Sequence, residues 1–302
     1  MLDEIILDQI DDQVHITLNR PNALNALNHS MVKEIHKILL NHKDNKSIKK
    51  IIFKGVGDRA FCAGGDIKSA YYLGQENPRK AWDYFRDEYE MNKEIFYYPK
   101  KITSLCHGFV MGGGYGIAGN GEEVITDDTT RFAMPETSIG FFPDVGICWH
   151  LARSGALGLY VGLTGGIFNG DMIYQLRSGQ QSINNELNDV FSKTSLEEVF
   201  ESLEHSKSDF AKQTLHTLVT RCPISLHVTF KHIQMARDET YDQSIARDYQ
   251  LACAFFSQSD VYEGIRAAVI DKDRNPKWSH SSIFNISVAD IDYYFRFKDH
   301  IG

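Results

Sequence analysis

The stretch from Met111 to Gly146 constrains this chain more than any other. Gly112, Gly113, Gly114 and Gly116 crowd its start, Met134-Pro135-Glu136 follows, and Pro143-Asp144-Val145-Gly146 closes it. Backbone this bare lets another group lie directly against main-chain N–H donors, and two carboxylates follow within one short segment. The pattern points to a polarised carbonyl held beside an acid or base.

The flanking sequence supplies a β/α frame. Ile5 to Leu7 and Val14 to Leu18 read as a hairpin across Asp11-Asp12-Gln13, followed by a helix capped at about Ser30 and a buried strand at Ile51-Ile52-Phe53. Phe61-Cys62-Ala63-Gly64-Gly65-Asp66 is a second glycine-rich turn, ahead of helices at Ile67 to Leu73 and Pro78 to Tyr97. A strand at Lys101 to Leu105 feeds the glycine cluster, a helix of small residues runs from Tyr115 to Ala118, and short strands fall at Val124 to Thr126 and Arg131 to Ala133. Beyond Val145 the periodicity is helical. It includes Leu196 to Leu203 behind a Ser195/Glu198 capping box and Val261 to Ile270 behind a box-like Asp260 and Glu263. The polar stretch Ser178 to Asn188 reads as a linker, dividing a β/α portion, 1–177, from a mainly helical portion, 178–302.

Bulk properties narrow the function classes. At 302 residues the chain can bury a sizeable core, and 32 basic against 40 acidic residues, a formal charge of -8, argue against a general nucleic-acid binder. A polyanionic ligand must be met locally. The scattered cysteines form no CxxC pair and fit a reducing compartment. With no basic leader before an apolar run, and no apolar segment of roughly 20 residues, the expected location is the cytoplasm.

Several chemistries can be weighed on motifs. Gly114-Tyr115-Gly116-Ile117-Ala118-Gly119 is a literal GxGxxG with Glu136 downstream, but it does not open the first βαβ unit and the acid follows a Met-Pro turn. GxSxG, HExxH and GxxxxGK[ST] are absent from the sequence. His107 and His150 read as structural, and Cys62 as a small buried residue with no base beside it. What remains is two glycine turns able to donate two N–H bonds to one oxygen, with Glu136 and Asp144 close by. Read on pattern alone, catalysis and plain packing stay evenly matched.

Longer motifs carry a resemblance. Leu18-Asn19-Arg20-Pro21 with Ala23-Leu24-Asn25-Ala26-Leu27, Ala60-Phe61-Cys62-Ala63-Gly64-Gly65-Asp66-Ile67, and His107-Gly108 with Gly112-Gly113-Gly114 resemble the crotonase (enoyl-CoA hydratase/isomerase) superfamily. Phe85 to Tyr89, Phe132 to Thr137, Ile139 to Gly146, and Glu263 through Asp271 to Trp278 are similar to its 3-hydroxyisobutyryl-CoA hydrolase branch. The similarity spans nearly the whole chain.

The resemblance implies an α/β fold, a crotonase-like spiral of ββα units with a helical carboxy-terminal region. It implies an acyl-CoA whose thioester oxygen is held by the N–H groups of Gly65 and Gly113. Glu136 would attack the thioester or activate water, Asp144 would hold the substrate hydroxyl or assist proton transfer, and Glu88 would be a further substrate-site acid. Hydratases of this family use two glutamates, and the position matching the first is Gly116, so thioester hydrolysis is the expected reaction, as in valine catabolism. A one-acid hydratase or isomerase and an inert acyl-CoA-binding protein are the alternatives. No cofactor is expected beyond the CoA of the substrate, and no metal. The expected partners are an acyl-CoA and, as an open option, further copies of the chain; neither nucleic acid nor membrane is expected. The region after Tyr174 passes to the helical portion sooner than in the relatives the motifs bring to mind.

Overall fold

A computed structural model describes residues 3–182 and 184–298. The hairpin is present as β1 (Ile5–Ile10) and β2 (Gln13–Leu18), paired antiparallel. α1 (His29–Lys43) is capped by Asn28, whose side chain accepts the N–H of Met31; Ser30 lies inside the helix and instead donates to Asn28. The cap therefore sits two residues earlier than expected.

From there the chain repeats one move. β3 (Lys50–Gly55) and β4 (Ala60–Cys62) precede the helices α2 (Ile67–Glu76) and α3 (Pro78–Phe96). β5 (Lys101–Cys106) and β6 (Phe109–Met111) precede α4 (Gly113–Ala118), and β7 (Glu123–Thr126) and β8 (Arg131–Ala133) precede a 3-10 turn at Glu136–Ile139. Each pair gives one strand to each of two sheets. β2, β3, β5 and β7 run parallel in one, with β1 at its edge; β4, β6 and β8 run parallel in the other, with β9 (Phe168–Asn169) antiparallel at its edge. This is the ββα spiral that the sequence motifs implied. β6 was not legible because three residues between glycines leave no periodicity to read.

Helices α5 (Ile147–Arg153), α6 (Gly155–Thr164) and α7 (Asp171–Ser178) lead into the carboxy-terminal region. α8 (Asn185–Phe191) takes over the last part of the stretch expected to be a linker, capped by Asn184 and burying Leu187, Val190 and Phe191. α9 (Leu196–His205) begins on the Ser195/Glu198 capping box as expected. α10 (Asp209–Leu218), α11 (Pro223–Met235) and α12 (Tyr241–Phe255) follow. α13 (Ser259–Ile265) continues as a wider π-type turn over Arg266–Ile270, and α14 (Val288–Arg296) is the last described helix. The Asp260/Glu263 box does not form: Asp260 accepts from Ser279, and Glu263 binds Arg266 and the N–H of Lys277. One continuous apolar core runs from Ile5 in β1 to Tyr294 in α14.

This topology positions three site segments together. Gly64-Gly65 follows the end of β4, Gly112-Gly113 the end of β6, and Glu136 the end of β8. These strands are parallel neighbours, so their carboxyl ends open into one crevice, where ligands of open parallel sheets bind.

Candidate active site

Gly65, Gly113, Glu88, Glu136 and Asp144, the residues singled out from sequence, all line one cavity of about 510 Å³. One wall is backbone. The turn around Gly65 is stitched to the segment before α1 by Ala63 N–H to Leu24 O (3.0 Å), Leu27 N–H to Gly64 O (2.8 Å) and Asp66 N–H to Leu27 O (2.7 Å). Gly113 is the first residue of α4, where an N–H has no partner inside its own helix. Among the described residues, neither the Gly65 N–H nor the Gly113 N–H donates a hydrogen bond within the protein.

The glycines are required by space. A Cβ built on Gly113 would stand 2.5 Å from Glu88 Oε1 and 3.2 Å from the nitrogen of Gly65. One built on Gly112, whose φ is +45°, would stand 2.9 Å from Glu136 Oε1. Gly114 lies against the Cys62 carbonyl, with a Cβ at 2.2 Å, so the GxGxxG run packs helix onto strand. Glu136 shares the cavity with these turns, which leaves the dinucleotide reading without its expected geometry.

The opposite wall carries the acids. Glu88 is 2% exposed, Glu136 7% and Asp144 5%, and none of the three pairs with a cation among the described residues. Glu88 Oε1 and Glu136 Oε2 have no hydrogen-bond partner, whereas Asp144 Oδ2 accepts from the Tyr89 hydroxyl at 2.7 Å. Burial lifts the Glu88 and Glu136 carboxyls well above the usual range, and the charge of Asp144 adds to both. Burial also raises Asp144 to about 7, against the pull of the Tyr89 hydrogen bond. Such neighbours titrate as a set, with protonation of one favouring ionisation of the others.

Tyr84, Phe85, Glu88, Tyr89 and Asn92 reach this region from one face of α3, at the spacing that aligns helical side chains. Sequence reasoning gave Tyr89 and Asn92 no role, although the same i, i+4 spacing from Glu88 to Asn92 could have flagged the latter. Phe141, Phe256, Ile139, Ile265 and Val269 form the apolar side, so the carboxy-terminal helices close the cavity. Arg20 and Lys68 stand on its lining, Arg20 already paired with Glu4 at 3.1 Å and Asp66 at 3.0 Å.

Gly116 explains itself spatially. Its Cβ would meet Asn92 Nδ2 at 2.7 Å and Val145 Cβ at 2.9 Å, so the position has no room for a glutamate. Two bland readings also fit: burial holds His150 near 3, hence neutral, and pushes the Cys62 thiol up to about 12, far from a reactive thiolate. Among the described residues no three His, Cys, Asp or Glu side chains are arranged to hold a metal ion. No helix of the described residues is long and apolar enough to cross a membrane.

Comparison with known proteins supplies the family. The model of the family described as enoyl-CoA hydratase/isomerase matches residues 13–186 and 174–295. The chain belongs to that family. Among curated relatives of this enoyl-CoA hydratase/isomerase family member, the mitochondrial 3-hydroxyisobutyryl-CoA hydrolase of Xenopus tropicalis is 34% identical over 328 residues, covering 93% of this chain and 85% of the relative. The protein of the same name from Dictyostelium discoideum is 34% identical over 349 residues, covering 97% and 92%. Their names include "mitochondrial", which lends no support to the cytoplasmic expectation. Both aligned stretches exceed the 302 residues of this chain, and the family model matches in two segments that overlap at 174–186, where the sequence suggested a shortening. Solved structures agree on the fold. An enoyl-CoA hydratase from Rhodobacter sphaeroides superposes with a TM-score of 0.89 at 30% identity, covering 97% of each chain. A carnitinyl-CoA dehydratase from Mycobacterium thermoresistibile gives 0.92 at 28%, covering 99% and 98%.

Proposed function

We propose that the chain hydrolyses a 3-hydroxyacyl-CoA thioester, with 3-hydroxyisobutyryl-CoA as the substrate that the curated relatives' names favour. The observation that carries hydrolysis over hydration is Gly116, where Asn92 and Val145 leave no space for the acid a hydratase would use.

In this reading the thioester oxygen accepts from the free N–H groups of Gly65 and Gly113, an oxyanion hole. Each donor contributes about 3–4 kcal/mol as charge develops on that oxygen. Glu136, in its ionised form, either takes a proton from water while the hydroxide adds to the carbonyl carbon, or adds itself and forms an anhydride that water then opens. Either way the C–S bond breaks, the CoA thiolate takes up a proton, and the hydroxy acid leaves. Asp144, held by Tyr89, binds the substrate hydroxyl or supplies the proton for the sulfur. Because Glu136 must lose its proton and Asp144 is useful with one, the rate passes through a maximum as pH rises, and its two limbs belong to the coupled titration of this pair.

A second reading has its own support. Glu88 brings another carboxyl into the cavity from α3, so a hydratase could draw on Glu88 and Glu136 together. Free CoA thiol released from 3-hydroxyisobutyryl-CoA, and lost in a folded Glu136→Ala variant by roughly 10²- to 10⁴-fold, is the expected result. Thiol release at background from the unaltered protein would overturn the hydrolase reading.

A further inference from the structure

One buried carboxylate has no part in that mechanism. Asp248, on α12, is fully buried and does not line the cavity. Its Oδ2 accepts the N–H of Gly146 at 2.7 Å, and its Oδ1 accepts from Nε2 of His232 on α11 at 2.6 Å, with His232 equally buried. Gly146 lies two residues past Asp144. Between them Val145 has φ +56°, a left-handed conformation that a β-branched side chain resists, and Gly146 continues at +80°. Something must hold that turn. Asn120 takes one side of it, donating through Nδ2 to the Val145 carbonyl at 3.0 Å, and Asp248 takes the other.

We infer that Asp248, held by His232, is a positioning residue for Asp144: it clamps the Val145–Gly146 turn that presents the Asp144 carboxyl to the cavity and sets the charge behind it. The inference rests on the proposed function only in giving Asp144 work to do. The groups facing Asp144 come from several elements. α3 offers the hydroxyls of Tyr84 and Tyr89 and the carboxyl of Glu88, the 3-10 turn offers Glu136, α5 offers the Cys148 thiol, and α12 offers Asp248. The nearby cation Arg247 is engaged with Glu239. Tyr89 favours the ionised Asp144, and the Asp248 charge disfavours it. A buried carboxylate that both anchors a turn and opposes ionisation of the acid it carries does more than fill space.

Asp248→Asn separates these roles from packing. Its amide oxygen can still accept from Gly146, and its NH2 can donate to the other tautomer of His232, while the charge is lost. The Asp144 carboxyl is followed by carbon-13 NMR, with Asp144→Asn assigning its resonance. Its midpoint should fall by about half to one pH unit in Asp248→Asn; an unchanged midpoint overturns the inference. This readout needs no turnover, so absence of thiol release would remove the hydrolase reading and leave the NMR result to judge Asp248. If thiol release is present, the limb of its pH–rate profile that follows Asp144 should move to lower pH with the midpoint. Should the variant not fold, hydrogen exchange in the unaltered protein decides. The Gly146 amide should exchange as slowly as those of β3 and β5, and exchange as fast as that of an exposed turn overturns the clamp.

Discussion

The two walls of the cavity are built on opposite terms. On the glycine wall the polar groups are main-chain N–H donors, fixed by hydrogen bonds between turns and by helix α4 packed on β4, with no room for an added methyl group at Gly112 or Gly113. On the acid wall they are side chains of α3 and two loops, buried without cations, whose state depends on pH and on one another. The first wall has a fixed geometry. The second holds carboxyls whose protonation follows pH, and its cost in desolvation is offset by the large apolar core around it.

Breaking the glycine wall should have the largest effect. Gly113→Ala drives a Cβ toward Glu88 Oε1 and the Gly65 nitrogen, so the rate of thiol release should fall roughly 10²- to 10³-fold. A folded variant with unaltered rate would show that this wall does not bind the reacting oxygen. Next comes Gly116→Ala, which overpacks Asn92 and Val145; thermal or urea unfolding should register about 1–3 kcal/mol of destabilisation. No loss would mean that the position has room, and the argument against a hydratase acid there would fail.

The acid wall is probed more gently. Tyr89→Phe removes the hydrogen bond that favours ionised Asp144, so the limb of the pH–rate profile that follows Asp144 should move up by about one unit. A limb that stays in place would assign it to another group. Glu88→Gln should give the smallest change. Because the folded pKa of Glu88 is raised, the penalty for burying it is absent below the ordinary glutamate value and grows as pH rises towards the folded one. The variant should therefore melt higher than the original protein near neutral pH, with the gap closing towards about pH 4. A gap that is independent of pH would point to packing.

The walls also differ in how far they could be read from sequence. The glycine wall was legible because its signals are local: two glycine-rich turns are written in consecutive residues, and the family resemblance picks out Gly65 and Gly113 within them. So was the Ser195/Glu198 cap. Glu88 was harder, since a charged residue on an amphipathic helix is ordinarily solvated, and only the packing of α3 against its neighbours buries it. Asp248 could not be seen at all, because its partner Gly146 lies 102 positions away and its role exists only once α12 docks. The same limit explains the misplaced caps. Asp260 has the right chemistry for capping but is held by Ser279, and Asn28 takes the cap that Ser30 could have held. Helix α8 escaped notice because its apolar contacts lie in a polar, asparagine-rich segment.

The central claim is that the two walls together cut a thioester, with the position of a hydratase's first glutamate sealed at Gly116. It can be tested in one sample of the protein with 3-hydroxyisobutyryl-CoA, following free thiol and conjugated enoyl-thioester absorbance side by side. Thiol should accumulate while the enoyl signal stays flat. Growth of the enoyl signal without thiol would mean that the site removes water from the substrate, and would contradict the account.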